Sequence, residues 1–285
     1  MEALAPHLNT KHLVIVSSHC SLGALYLSRL LASRNMVVPI LALPTTVLTG
    51  SMNDGDVYVK TLRSEVDVAA VPSAALPAGL SVLRDLFGDV FVEGQDLLTI
   101  ALSNLNPQLH MAGAVLNYTR MERGERWDVF GGITPSVGRL IGRLDDERLA
   151  IASAFGVRVR TAREHYLKSF SGLPSAGRIH EFAEAIAAQR PTGTPGPTTL
   201  ESRWLTEDLP FGIATTIELG KLTGVATPLH EAGLEILSAA AGRDYRREND
   251  ILPALGLKDM TPMKLQAAAR GGWPLPVPRS PAPPT

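Results

Sequence analysis

The amino-acid sequence predicts an α/β layer followed by an all-α region. Three observations lead there. The chain has 285 residues, 45% of them apolar and 19% charged, enough for one large domain or two small ones with a packed core. Its first hundred residues alternate short β-branched runs with helix-spaced ones. From about residue 105 onward only helical spacing recurs.

In the α/β part, HLVIVS (12–17) is a short apolar run of buried-strand type. SLGALYLSRLLASRN (21–35) follows, with Leu22, Leu25, Tyr26, Arg29 and Leu30 at helical spacing. MVVPILAL (36–43) reads as a strand in which Pro39 suggests an edge or a bulge. VYVKTL (57–62) and EVDVAAVP (65–72) read as two more strands, and AALPAGLSVLRDLFG (74–88) as a helix. The expected order is β-α-β-β-β-α.

In the helical part, residues 135–156 place Val137, Leu140, Ile141, Leu144, Ile151 and Phe155 on one stripe, with Gly156 as a stop. Shorter helices are expected at 162–170 and 176–189, a turn-rich loop at 191–199, and further helices at 210–224 and 227–242. Thr227 is the expected N-cap of the last, with Pro228 in first position. The Pro-rich end, GGWPLPVPRSPAPPT (271–285), reads as a solvated, disordered tail. The expected division is 1–104, 105–270 and 271–285.

A net charge of −1 and a pI near 6.7 give no electrostatic case for nucleic acid or an anionic membrane. The single cysteine, Cys20, excludes an intramolecular disulfide and a Cys/His zinc cluster, and fits a reducing cytoplasm. The N-terminus lacks the pattern of a signal peptide, and no apolar run approaches 18 residues, so neither secretion nor a membrane span is expected.

Two stretches carry chemistry. In NPQLH (106–110), Asn106 is a strong N-cap residue and Pro107 suits the first helical turn, which sets His110 at the end of that turn. The positive helix end disfavours an imidazolium there unless a carboxylate offsets it. In SRWLTEDLPFG (202–212), Arg203, Glu207 and Asp208 crowd ahead of a helix, with Asp208 as candidate N-cap. An ionised Asp208 could orient His110, and Arg203 offers a planar fork for a carboxylate. On spacing alone each has a structural reading too: Asp208 as a cap, Arg203 in a surface ion pair, His110 as an ordinary helix residue. His230 lacks a histidine four residues on and makes no zinc motif. His165 and His180 lie in charged helical segments, and His19 stands beside Cys20 in the turn after the first strand.

The runs NPQLHMAGAVLN, RWLTEDLPFG and GVATPLHEAG, in that order, resemble the helical domain of the octopine/nopaline (opine) dehydrogenase family, and the likeness covers the chain to about residue 260. The resemblance implies an N-terminal Rossmann domain, a helical C-terminal domain and a substrate in the cleft. It implies NAD(P)H-dependent coupling of an amino acid's amine to a 2-oxo acid. It matches His110 to the catalytic histidine, Asp208 to its partner carboxylate and Arg203 to the arginine that grips a substrate carboxylate. Asn106 joins Arg203 as a candidate substrate-binding residue. NAD or NADP is the implied cofactor, and large helical surfaces point to a homodimer.

The chain departs from that pattern in one respect: it contains no G-x-G-x-x-G turn. Its Rossmann-like part is therefore expected to be partial, lacking the first mononucleotide-binding half. A fragment or mis-started gene product, a truncated paralogue, and a missing half supplied by another polypeptide would each explain this. The expected consequence is weak or absent NAD(P)H binding by this chain alone. The turn SSHCSLG (17–23) is the remaining cofactor-side candidate, with Ser17, Ser18 and Gly23 as cofactor-binding residues. It also reads as a plain loop with Ser21 as N-cap. The rival functions are a non-catalytic helical binding or dimerisation module, and a relative that reduces keto acids without an amine.

Overall fold

The structure is a computed structural model and describes residues 1–18, 21–169, 172–189 and 194–276. The chain divides into two compact units, Met1–Ile100 with the residues from Met263 onward, and Ala101–Pro262.

The first unit is built on a four-stranded mixed sheet. In chain order its strands are β1 (Val14–Val16), β2 (Ile40–Ala42), β5 (Val66–Val71) and β6 (Phe91–Glu93), and they are neighbours in that same order. β1 and β2 run parallel, as do β5 and β6, whereas β2 and β5 are antiparallel. Leu41, Val66, Val68 and Ala70 pack with Leu76, Leu80 and Leu83 of helix α2 (Leu76–Phe87). Ile40, Ala42, Ala69 and Val71 are buried as well, which is why these strands read as continuous apolar runs. Helix α1 (Gly23–Ala32) lies against β2 and β5.

Two strands of this unit lie outside the expected set. β3 (Leu48–Asn53) pairs antiparallel with β4 (Asp56–Leu62) as a separate hairpin. Its turn residues Asp54 and Gly55 have φ of 51° and 90°, the doubly left-handed turn whose twist suits a hairpin. β6 is only three residues long. Pro39 marks neither an edge nor a bulge. β2 is an interior strand that starts just after it, and the Pro39 carbonyl accepts from Val14 N–H at 2.9 Å. Ser21 does not cap α1, whose N-cap is Leu22 with no side-chain bond.

The second unit holds α4 (Asn106–Glu122), α5 (Pro135–Ala154), α6 (Ala162–Ser169), α7 (Ala183–Ala188), α8 (Arg203–Thr206), α9 (Ala214–Thr223), α10 (Pro228–Ala241) and α11 (Ile251–Leu255). α3 (Leu97–Ser103) precedes α4, and Asp96 accepts from Leu98 and Thr99 N–H at 3.1 Å at its start. The expected stripe of α5 is its buried face, and Gly156 has φ 65°. The fully buried Arg148 of α5 donates to Asp145 and to the carbonyls of Leu102 and Arg160, which ties α5 to the end of α3 and to the segment that follows α5. The helix expected at 176–189 is instead a 3-10 turn, Ile179–Glu181, followed by the short α7.

Helix α12 (Pro262–Gly271) belongs with the first unit, not with the helical one as the 105–270 expectation had it. The reason is chemical. Arg270 pairs with the fully buried Asp96 at 3.1 Å, Trp273 N–H donates to Ser28 Oγ at 3.0 Å, and the Arg29 guanidinium lies 4.7 Å from the Trp273 ring centroid. Residues 277–285 of the expected tail, 191–193 of the expected loop, and His19 and Cys20 lie outside the described residues.

Candidate active site in the helical unit

His110 is the fifth residue of α4, which carries Pro107, Gln108, Met111, Ala112 and Ala114 into the core. Asn106 is the helix's first residue rather than its N-cap. The N-cap is Leu105, and Asn104 just before it accepts at Oδ1 from Asn106 N–H at 3.0 Å. Asp208 does not cap a helix either. It opens a π-helical turn, Asp208–Ile213, which runs directly into α9. Such turns re-aim side chains. Pro210 lacks an N–H inside this one, and the buried Asn249 secures it by donating to the Pro210 carbonyl at 2.8 Å and to Thr215 Oγ1 at 3.3 Å.

α4 meets the π turn through Pro107 and Gly212. A Cβ added at Gly212 would run into the Pro107 ring, so glycine is what lets the first turn of α4 come this close. That approach brings His110 Nδ1 to 2.6 Å from Asp208 Oδ2. The Asp208 side chain is 5% exposed and that of His110 is 18%. A carboxylate can only accept, so Nδ1 carries the proton and donates it. Nε2, the other ring nitrogen, is then the atom that can take up and return a proton.

Trp204 stacks on this imidazole, with ring centroids 4.6 Å apart and planes 13° from parallel. The indole lies over Gly113, where an added Cβ would stand 2.7 Å from Trp204 Cζ3. Trp127 meets it edge-on at 5.8 Å and is itself held by Nε1–H donation to the Pro197 carbonyl at 2.9 Å. Arg203, one residue before Trp204, is about half exposed and pairs with Glu207 at 3.4 Å within its own turn. Of the three residues expected to meet, the structure thus pairs His110 with Asp208, and it bonds Arg203 to Glu207 rather than to that pair.

A second histidine–carboxylate pair lies in the same unit. His230, fully buried on α10, donates from Nδ1 to Glu147 Oε2 of α5 at 2.6 Å. Glu147 also accepts from the backbone N–H of Leu229 at 2.9 Å and of His230 at 3.2 Å. It therefore performs the capping expected of Thr227, whose side chain makes no cap bond. The Gln108 amide, two residues before His110, reaches His230 Nε2 at 3.3 Å, while its Oε1 is buried without a hydrogen-bond partner. Burial alone would push the Glu147 carboxyl up. The bonds from His230 and the two backbone N–H groups outweigh it and hold the group below its ordinary value.

Trp204, Glu147 and Gln108 escaped the sequence reading, and His230 was weighed only as a metal ligand. Trp204 had a usable signal, an aromatic beside the candidate arginine. Glu147 had none, because its partners lie more than eighty positions away. Among the described residues no group of three or more His, Cys, Asp or Glu side chains could hold a metal ion, and no helix is long and apolar enough to cross a membrane.

The cofactor-side candidates sit in the first unit. Ser17 and Ser18 follow β1, Ser18 with φ 57°, and Gly23 is the buried first residue of α1.

The helical unit's sequence matches a family model, the alpha-helical domain of NAD/NADP octopine/nopaline dehydrogenase, over residues 93–241. The chain is 30% identical over 268 residues to the opine dehydrogenase of Arthrobacter sp. (strain 1C), across 93% of this chain and 73% of that protein. Among solved structures, octopine dehydrogenase with NADH and L-arginine shares the fold at a TM-score of 0.71 and 16% identity, over 94% of this chain and 74% of that one. Yersinopine dehydrogenase bound to NADP+ does so at 0.66 and 12%, over 91% and 76%. With a Rossmann-like sheet layer, a helical unit and these matches, the chain belongs to the octopine/nopaline dehydrogenase family.

Proposed function

We propose that this chain carries the acid–base and carboxylate-binding machinery of an opine dehydrogenase, which condenses an amino acid's amine with a 2-oxo acid and reduces the product with NADH or NADPH. The observation that carries the proposal is the 2.6 Å His110–Asp208 contact, partly open to solvent, inside a family-matched helical unit. Amine attack on the oxo carbon makes a carbinolamine, and its oxygen must gain a proton before leaving as water. His110 Nε2 supplies that proton and recovers it from the amine nitrogen. Asp208 fixes the tautomer and stabilises the imidazolium. Both substrates are carboxylates, and Arg203, with Asn106 near the start of α4, would orient them. The domains follow the 1–104 and 105–270 division in this proposal, except that α12 and the described residues after it, from the stretch expected as a separate tail at 271–285, join the first. A homodimer is the expected assembly, to be checked by sedimentation.

Hydride transfer is the nicotinamide's chemistry. The residues described here do not fit a complete pyrophosphate cradle. Ser17 and Ser18 precede α1 and Gly23 opens it, but this sequence contains no G-x-G-x-x-G turn to carry the pyrophosphate. No step above therefore runs through the nucleotide, and Ser17, Ser18 and Gly23 are proposed as peripheral contacts only.

The test is NADH or NADPH oxidation in the presence of pooled 2-oxo acids and amino acids. Oxidation should require both, and His110→Ala should lower it by about 10²- to 10⁴-fold. Oxidation with the oxo acid alone would favour a keto-acid reductase. The alternative, a non-catalytic binding or dimerisation module, predicts saturable binding of the two acids by calorimetry with no oxidation at all.

A further inference from the structure

We infer that Trp204 is a positioning residue that fixes the plane of the His110 ring. The inference rests on the proposed role of the His110–Asp208 pair. The imidazole turns about its Cβ–Cγ bond, and a single hydrogen bond at Nδ1 tolerates a range of angles, so it narrows that rotation without fixing it. The direction of Nε2 then still varies, and proton transfer depends on that direction. A near-parallel stack removes this freedom. Trp204 provides one, at 4.6 Å and 13°.

The indole can act this way because it is held on its other sides. It is only 7% exposed, it meets the Trp127 edge at 90°, and Gly113 leaves room for it and for nothing larger beneath. Trp127 is fixed in turn by Pro197, with the Arg120 guanidinium 5.3 Å from its ring centroid. The indole also covers one face of the imidazole, which restricts a reacting group to the ring edge and the opposite face. Trp204 and Arg203 are neighbours on the four-residue α8, so the ring clamp and the proposed carboxylate grip move as one piece.

The experiment compares the full chain with Trp204→Phe, Trp204→Leu and Gly113→Ala, all checked for folding by circular dichroism. Exchange of the His110 Nδ1–H proton with water is read by NMR, and kcat and KM are measured where turnover exists. Leucine removes the stack, and exchange should quicken about fivefold while kcat falls and KM holds. Phenylalanine keeps a ring, and both values should return to within about twofold of the starting chain. Gly113→Ala displaces the indole without removing it, so it should follow the leucine variant and decides the matter if that variant does not fold. Unchanged exchange in the leucine and Gly113→Ala variants would overturn the inference, as would a phenylalanine variant as impaired as the leucine one. Absent turnover with the expected exchange pattern would count against the proposed reaction and leave the ring-plane role standing.

Discussion

Replacing Glu147 with alanine removes the acceptor of three hydrogen bonds at once, two from the first turn of α10 and one from the fully buried His230. The lost helix cap costs about 1 kcal/mol. The lost charge-assisted bond, with a ring N–H left buried and unpaired, costs about 3 kcal/mol more. A total near 4 kcal/mol should lower the melting temperature by about 10 °C. In urea titrations the midpoint should fall with an unchanged slope. Glu147→Gln keeps one acceptor oxygen but turns an N–H toward an N–H, so it should lose about half as much. Acid offers a second measure of the same group. Its folded value lies below the ordinary 4.5, so the unfolded chain takes up the proton first as pH falls. The part of the stabilisation that depends on the ionised carboxylate is therefore full above pH 4.5 and is lost as pH drops through the lower folded value, so the gap between wild type and Glu147→Ala should narrow across that window. A loss under about 1 kcal/mol at neutral pH, or a gap that does not narrow as pH falls through that window, would refute this account.

Three other changes separate the roles of neighbouring residues. Asp208→Asn keeps the shape but not the charge, and should cut kcat by about 10²- to 10⁴-fold with KM little changed; a loss confined to KM would contradict an orienting role. Arg203→Lys should raise KM for the carboxylate substrates, because an ammonium cannot make the two-pronged contact. Its melting temperature should hold, since the exposed pair with Glu207 contributes little. Gly212→Ala forces a methyl group into Pro107 and should cost about 1–3 kcal/mol in urea titrations, with kcat falling as His110 draws away from Asp208.

Much of the helical unit was legible because its signals are local. The α5 stripe, the Gly156 stop and Pro228 at the start of α10 each depend on residues within a turn or two. The meeting of His110 with Asp208 was one open reading among several on residue types alone, and family likeness singled it out, since ninety-eight positions separate them. Hairpin β3–β4 was missed although Asp54-Gly55 signals it, because Leu48–Asn53 has too little alternation to read as a strand. Three-residue β6 falls below the length at which periodicity exists. The capping of α10 by Glu147 rather than Thr227 was out of reach, because a side chain on another helix replaced the local one. Asp208 looked like a cap because nothing in the sequence announces a π turn.

Gln108 and His110, two positions apart on the first turns of α4, give the helix two anchors, the first to a sealed histidine–carboxylate pair and the second to an open one. Sliding the helix by a single residue, about 1.5 Å along its axis, would pull both side chains off their partners together. A register shift of α4 therefore cannot break the Gln108 anchor and spare the His110 one, so denaturant that melts the sealed pair should take acid–base competence with it.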